Sequence, residues 1–324
     1  MILRHPISRA LPVLLSSIAA LALLFSLSGC TLELDYDKYA IVFGISDYPG
    51  TGNDLSYCDD DALSMENLFI EQGYPSSNIY LEIDDTATRA NLEAHFATVA
   101  STAKEEDLFI FYYSGHGGKR PEDPQNGSEE TYGSDSLGEW IFLHDYLQYV
   151  DSNYVENLDE AICDDELAAL LRTIPCVRKI VLLDACNSGG FIGNVLEKDG
   201  IPSDFSFGSD GIVTNLSNAI YLYTNYDGYK SDISPADALV IAASGERESS
   251  WEGMYGHGVM TYFLLQSATK ADLNGDDYIT VSESYYYIYK NINASWNNTT
   301  SALIYDVFFP HVSGGPIDYI LFTK

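Results

Sequence analysis

Four continuous apolar runs constrain this chain more than any other feature. They are "YAIVFGI" (Tyr39 to Ile45), "DLFIFYYSG" (Asp107 to Gly115), "VRKIVLLDA" (Val177 to Ala185) and "ALVIAAS" (Ala238 to Ser244). A strand with one wet face alternates apolar and polar residues. These runs do not, which fits strands buried on both faces of a mainly parallel sheet. "NIYLEI" (Asn78 to Ile83) and "EWIFLHD" (Glu139 to Asp145) read as shorter strands. Helical patterns lie between them. Asp59–Gln72 places Ala62, Met65, Leu68 and Phe69 on one face, and Thr88 is placed to cap a helix carrying Leu92, Phe96 and Val99 inward. Further helical segments are predicted at Asp164–Thr173, Val259–Ala268 and Val281–Ile292. Strand alternating with helix gives an α/β fold, a mainly parallel sheet covered by helices on both faces. Lys119–Glu139 and Gly189–Pro235, rich in Gly, Ser, Asp and Asn, read as irregular.

The first thirty residues read as an export signal. Arg4 and Arg9 precede an apolar run from Ala10 to about Leu27, then Leu27, Ser28, Gly29 and Cys30 follow. The run is near the lower length limit for a membrane span. The small residues before Cys30 favour another reading: they resemble the lipobox of bacterial lipoproteins. That resemblance implies lipidation of Cys30 and a protein held at the bacterial cell envelope, facing periplasm or exterior. The expected organisation is a signal peptide over 1–29, a tether over 30–38 and one domain over 39–324. The whole chain has a net charge of −32. Such a surface repels nucleic acid and anionic lipid, and suits basic substrates or calcium.

Four cysteines follow Cys30: Cys58, Cys163, Cys176 and Cys186. Cys163 and Cys176 flank the helix predicted at Asp164–Thr173. A helix of that length spans about 15 Å, too far for a disulfide unless the chain turns back sharply. Both are therefore read as buried thiols.

Two of the buried runs end alike, one in "YSGHGG" and the other in "DACNSGG". Ligands bind at the carboxyl ends of strands in open α/β sheets. Strand ends on adjacent strands would bring His116 and Cys186 to one rim. A thiolate is a strong nucleophile. A histidine supplies the proton an amide leaving group needs, and the backbone N–H of Gly117 is available to a developing oxyanion. The other histidines, His5, His95, His144, His257 and His311, lack a glycine-flanked strand end, although His257 does stand in "GHG".

"FYYSGHGG" and "LLDACNSGG" together resemble the caspase-like cysteine peptidases, nearest the metacaspase and bacterial caspase-like branch. "YAIVFGISDY", "LSYCDDDALSMENLF", "ALVIAASGERESSWEG" and "GHGVMTYFLL" carry the likeness over most of the chain. The resemblance implies a three-layer sandwich around a six-stranded sheet, and peptide-bond hydrolysis by a Cys–His dyad. Asn187 departs from it, because metacaspases usually carry a histidine there. The resemblance also places Cys58, Asp61, Ser114 and Asp184 around the pocket for the side chain preceding the cut. Two carboxylates there imply protein or peptide substrates cut after Arg or Lys. Otherwise Asp61 caps its helix and Asp184 merely ends its strand. Lys198, in "VLEKDG", is a candidate for self-cleavage. Legumain- or separase-like selectivity is an alternative, and so is a non-catalytic, calcium-stabilised surface binding module.

"DLNGDDYITVSE", residues 272–283, has EF-hand spacing. Asp272, Asn274, Asp276, Thr280 and Glu283 supply side-chain oxygens and Tyr278 a backbone oxygen. Asp277 stands where glycine is usual. The expectation is a structural calcium site tying the last helices to the sheet. By resemblance to calcium-activated metacaspases, Asp145, Asp164 and Asp165 mark a second, regulatory site, with Gly193 where a fourth ligand would stand.

Overall fold

The computed structural model describes residues 36–50, 52–121, 137–192, 238–245, 248–298, 307–313 and 319–324. In chain order its elements are β1 (Lys38–Gly44), α1 (Cys58–Glu71), β2 (Ile79–Ile83), α2 (Arg89–Thr102), β3 (Leu108–Ser114), β4 (Gly117–Pro121), β5 (Leu137–Phe142), β6 (Leu147–Val150), β7 (Asn153–Glu156), β8 (Ala161–Cys163) and α3 (Asp164–Thr173). There follow β9 (Arg178–Asp184), β10 (Ala238–Ala242), α4 (Val259–Lys270), β11 (Tyr278–Thr280), α5 (Val281–Asn291), β12 (His311–Ser313) and β13 (Ile320–Thr323). Residues 37–324 form one compact unit.

The six-stranded sheet has the order β12-β10-β9-β3-β1-β2. Its pairs are parallel except β10–β12. The four long apolar runs are its four central strands, which explains why they carry no alternation: both faces are covered. Tyr39, Ile41, Phe43, Phe109, Phe111, Tyr113, Val181 and Leu183 share one core with Leu92, Phe96 and Val99 of α2 and Leu167 and Leu171 of α3. Strand side chains alternate in direction, so the intervening residues face the other layer. There α1 packs on β1, β2 and β3. The Tyr112 hydroxyl meets Thr261 Oγ1 of α4 at 2.7 Å, and α5 packs on α4. This is the expected three-layer α/β sandwich.

Local chemistry sets several boundaries. Thr88 caps α2 by accepting from the Asn91 amide at 3.3 Å, as its sequence implied. Arg89 on α2 pairs with Glu166 on α3 at 2.7 Å, joining the two helices of that layer. Cys163 and Cys176, at opposite ends of α3, are buried free thiols.

Three sequence expectations need correcting. The strand expected over Glu139–Asp145 ends at Phe142, where a 3₁₀ turn (His144–Tyr146) takes over. It is also outside the main sheet: β5 lies antiparallel between β4 and β8. The sixth main strand is β12, a three-residue antiparallel edge too short to show a pattern. Lys119–Pro121, expected to be irregular, forms β4. Its charge is matched across the ladder, with Lys119 Nζ 3.2 Å from Glu139 Oε1. Most of the two irregular stretches, with Lys198 and Gly193, lies outside the described residues.

Candidate active site

The site begins with sheet register. β3 and β9 are adjacent and parallel, and their last residues, Ser114 and Asp184, are partners. The Gly115 amide continues the pairing to the Asp184 carbonyl at 3.2 Å. His116 and Cys186 each stand two residues beyond that pair, so both leave the sheet at one level on neighbouring strands. The turns then close on each other: a Cβ at Gly117 would overlap the carbonyl oxygen of Cys186. Glycine is needed there for close approach. The left-handed turn residue in the Cys186 loop is instead Asn187, at φ +58°, a conformation asparagine tolerates.

His116 is fixed on several sides. Its amide donates to Tyr48 Oη at 2.9 Å and its carbonyl accepts from Tyr113 Oη at 2.8 Å. The Tyr48 ring lies against the imidazole at a centroid distance of 4.7 Å. Nε2 sits 2.7 Å from the Asn53 carbonyl. A carbonyl only accepts, so Nε2 carries the hydrogen and Nδ1 keeps the basic lone pair. Burial holds the imidazole below its ordinary pKa, against the opposing pull of the Asn53 carbonyl and Glu252. The Phe142 amide donates to the His116 carbonyl at 3.1 Å. Antiparallel ladders alternate, so Gly117, paired with Ile141, turns its N–H away from β5.

Cys186 is partly buried, and its Sγ approaches the Ser250 carbonyl at 3.6 Å. Burial raises its pKa above that of an ordinary thiol. Burial thus favours the uncharged form of each group. The segment over 248–258 steadies both turns. Its Glu248 carbonyl accepts from the Asn187 amide at 2.9 Å. The Glu252 carboxylate accepts from the Ser56 amide at 2.8 Å and the Tyr57 amide at 3.1 Å, next to the loop that offers Asn53 to His116.

Behind the rim, Cys58, Asp61, Ser114 and Asp184 are brought together and buried. Ser114 Oγ donates to Asp61 Oδ2 at 3.1 Å, and the Gly258 amide to the same oxygen at 3.0 Å. His257 Nδ1 meets Asp61 Oδ1 at 2.8 Å. Asp184 accepts from Ser250 Oγ (2.6 Å), the Thr261 amide (2.9 Å) and Thr261 Oγ1 (2.8 Å). A Cβ on Gly258 would lie 2.5 Å from Asp184 Oδ2 and 2.8 Å from Asp61 Oδ2. The two acids thus converge on the N-terminus of α4, whose dipole favours negative charge. Even so, burial raises both carboxyls, Asp61 to about 6, with Asp184 adding to the rise and His257 opposing it. Burial also pushes the Cys58 thiol well up. Asp61 is thus not a simple helix cap, and Asp184 does more than end a strand.

Sequence reasoning passed over His257 and Glu252. "GHG" signalled the first, but its partner lies 196 residues away. His95, on α2, pairs with Glu82 at 2.7 Å while partly buried.

The loop over 272–283 joins α4 to α5, with β11 pairing β13 rather than the main sheet. Asp272 Oδ1 accepts from the Gly275 and Asp276 amides at 2.7 and 3.2 Å, and Asp276 Oδ1 from Tyr278 at 2.9 Å. Asp277, in the usual glycine position, takes φ +66°. Buried Glu283 closes the loop, accepting from Leu273 and Thr280 at 3.1 and 3.0 Å. Lys324 Nζ lies 3.3 Å from Asp272 Oδ2. At the second expected site, Asp164 and Asp165 begin α3, while Asp145 follows β5 and pairs with His144 at 2.9 Å. Among the described residues, no three His, Cys, Asp or Glu side chains converge as a ready metal cage.

Comparison with known proteins agrees with this architecture. Metacaspase-1 of Kluyveromyces lactis is 30% identical over 272 residues, 72% of this chain and 59% of its own length. Metacaspase-1 of Schizosaccharomyces pombe is 24% identical over 275 residues, 72% of this chain and 60% of that protein. Metacaspase-4 of Arabidopsis thaliana is 28% identical over 171 residues, 50% of this chain and 36% of that protein. The match thus spans between about a third and three-fifths of these relatives' lengths. A solved protein of Geobacter sulfurreducens shares the fold at a TM-score of 0.52, with 19% identity, over 87% of this chain and 95% of its own. The caspase domain family matches residues 37–298, and the chain belongs to that family.

Proposed function

We propose that this protein is a cysteine endopeptidase that cuts after Arg or Lys. The observation that carries the reading is the Ser114–Asp184 register, which sets His116 and Cys186 on one rim directly above two buried acids. A substrate side chain entering beside the acids leaves its own carbonyl at the rim. Cys186 Sγ attacks that carbonyl as its thiol proton passes to His116 Nδ1. The developing oxyanion accepts from the Gly117 N–H, a contribution of about 3–4 kcal/mol. The C–N bond then breaks as His116 gives the proton to the leaving amine, and water releases the acyl group by the same route. Two carboxylates favour a guanidinium or ammonium and oppose an acidic side chain. Fluorogenic peptides ending in Arg, Lys, Asp or citrulline test the reading. Hydrolysis of the Arg and Lys peptides alone, lost in Cys186→Ala, is the expected result. Hydrolysis of the Asp peptide, or activity that survives in Cys186→Ala, overturns it.

Two further parts of the proposal concern ions and place. The Asx turns of the loop over 272–283, its left-handed Asp277 and its inward Glu283 suit a calcium ion held by Asp272, Asn274, Asp276, Tyr278, Thr280 and Glu283. Such an ion would displace Lys324 from Asp272. The ion's role there is structural. Asp145, Asp164 and Asp165 remain candidates for a regulatory ion, to be tested by activity with calcium and with chelator on wild type and Asp165→Ala. Lipidation of Cys30 and attachment at the cell envelope rest on the leader sequence, which lies outside the described residues. Palmitate labelling lost in Cys30→Ser is the check. Among the described residues, no helix is long and apolar enough to cross a membrane.

A further inference from the structure

The two acids behind the rim are satisfied differently. Asp184 has both oxygens engaged by donors fixed in the surrounding frame, Ser250 and Thr261. Asp61 has Oδ2 engaged by Ser114 and the Gly258 amide. Among the described residues, its Oδ1 meets His257 alone. The imidazole is about one-fifth exposed, whereas Asp61 is fully buried. His257 therefore stands between solvent and the one exchangeable acceptor position of the pair.

We propose that His257 is the pocket's own counter-ion: its imidazolium holds Asp61 Oδ1 while the pocket is empty, and an arriving guanidinium or ammonium takes that oxygen and sends the imidazole proton to solvent. This rests on the basic-side-chain reading of the pocket. Histidine suits the role because it can leave as a neutral group, which Lys and Arg cannot readily do. Two buried carboxylates at close quarters oppose each other's ionisation. A removable cation lowers that cost without blocking the pocket. The groups acting on the imidazole agree with a charged resting form: Asp61 and Asp60 from α1, with the Tyr262 ring of α4 at 6.3 Å, while Asp184 at the end of β9 and Glu252 in the preceding loop lie against the neighbouring Gly258. The hydrogen bond to Asp61 raises the His257 pKa above its ordinary value, with burial opposing. Affinity for basic side chains should therefore weaken in acid, where the counter-ion holds its proton.

The test follows the His257 ring proton by NMR in full-chain Cys186→Ala, with the signal assigned by its loss in His257→Gln. The free protein should titrate above an ordinary histidine. A saturating Arg-ending peptide should lower the midpoint by about one pH unit or more, and the citrulline peptide should leave it unchanged. Asp61→Asn, without peptide, should lower it as well. A bound Arg peptide that leaves the midpoint unchanged overturns the inference, as does a midpoint still raised in Asp61→Asn. If no Arg or Lys peptide binds, the basic-side-chain reading fails, while the Asp61→Asn arm still decides whether His257 is the counter-ion of Asp61.

Discussion

The rim of the main sheet and the loop over 272–283 both carry oxygen-rich motifs, but they are assembled in opposite ways. The loop is built from neighbours in sequence: Asp272, Asn274 and Asp276 bond to amides two to four residues on. The rim is built from strangers. Ser114 and Asp184 meet through strand register, Asp61 and His257 across 196 residues, and Glu252 reaches Ser56 across the same span. A local motif can survive the loss of the fold around it, whereas the rim exists only while the sheet holds its register. Chemistry that needs several groups placed together here depends on the register of β3 and β9.

Substitutions should separate the two regions. The largest effect belongs to Cys186→Ala and His116→Ala: each should lower kcat/KM by roughly 10⁴-fold or more while thermal stability stays close to wild type. Next comes Asp61→Asn, which should cost about 10²–10³-fold in kcat/KM for Arg peptides, as expected when a buried charge pair with the substrate is broken. The same variant has a stability signature. The folded-state pKa of Asp61 is raised from 3.8 to about 6. Its ionisation therefore subtracts stability as pH rises from about 4 to about 6, by at most ~1.4 kcal/mol per pH unit. Chemical denaturation across that window should show Asp61→Asn gaining on wild type, and a flat difference would contradict the shift.

A smaller effect is expected for Glu252→Ala. Its carboxylate ties the 248–258 segment, which touches Cys186 through Ser250, to the loop that orients His116 through Asn53. Loss of that tie should lower kcat about tenfold, the size of a loosened catalytic geometry, with KM for Arg peptides little changed. A rise in KM alone would place Glu252 in the pocket instead. The smallest effect on chemistry belongs to Asp272→Ala. It should leave kcat/KM within about twofold of wild type and abolish any calcium-dependent rise in Tm, which scanning calorimetry with calcium and with chelator reads.

The central strands were legible because burial on both faces leaves nothing to alternate, as in Tyr39–Ile45 and Asp107–Gly115. His116 and Cys186 could be singled out because each ends such a strand in a glycine-rich turn. The edge strand β12 left no pattern, since three residues cannot show one. β4 was hidden because Lys119 and Arg120 look like loop residues until Glu139 and Glu156 are seen to pair with them. Gly117 of "SGHGG" permits close approach to Cys186, while the left-handed turn residue of the Cys186 loop is Asn187 rather than a glycine, which no local pattern signals. His257 and Glu252 were missed because their partners are set by tertiary packing, which no local spacing reports.

The activity predictions depend on Cys186 being a nucleophile served by a pocket for basic side chains. The most direct measurement is intact-mass and peptide mapping after treatment with an Arg-directed acyloxymethyl ketone and its citrulline counterpart. One adduct is expected, on Cys186, formed by the Arg reagent, absent with the citrulline reagent and absent in Cys186→Ala. Labelling of Cys58, Cys163 or Cys176 in its place, or equal labelling by both reagents, would contradict it.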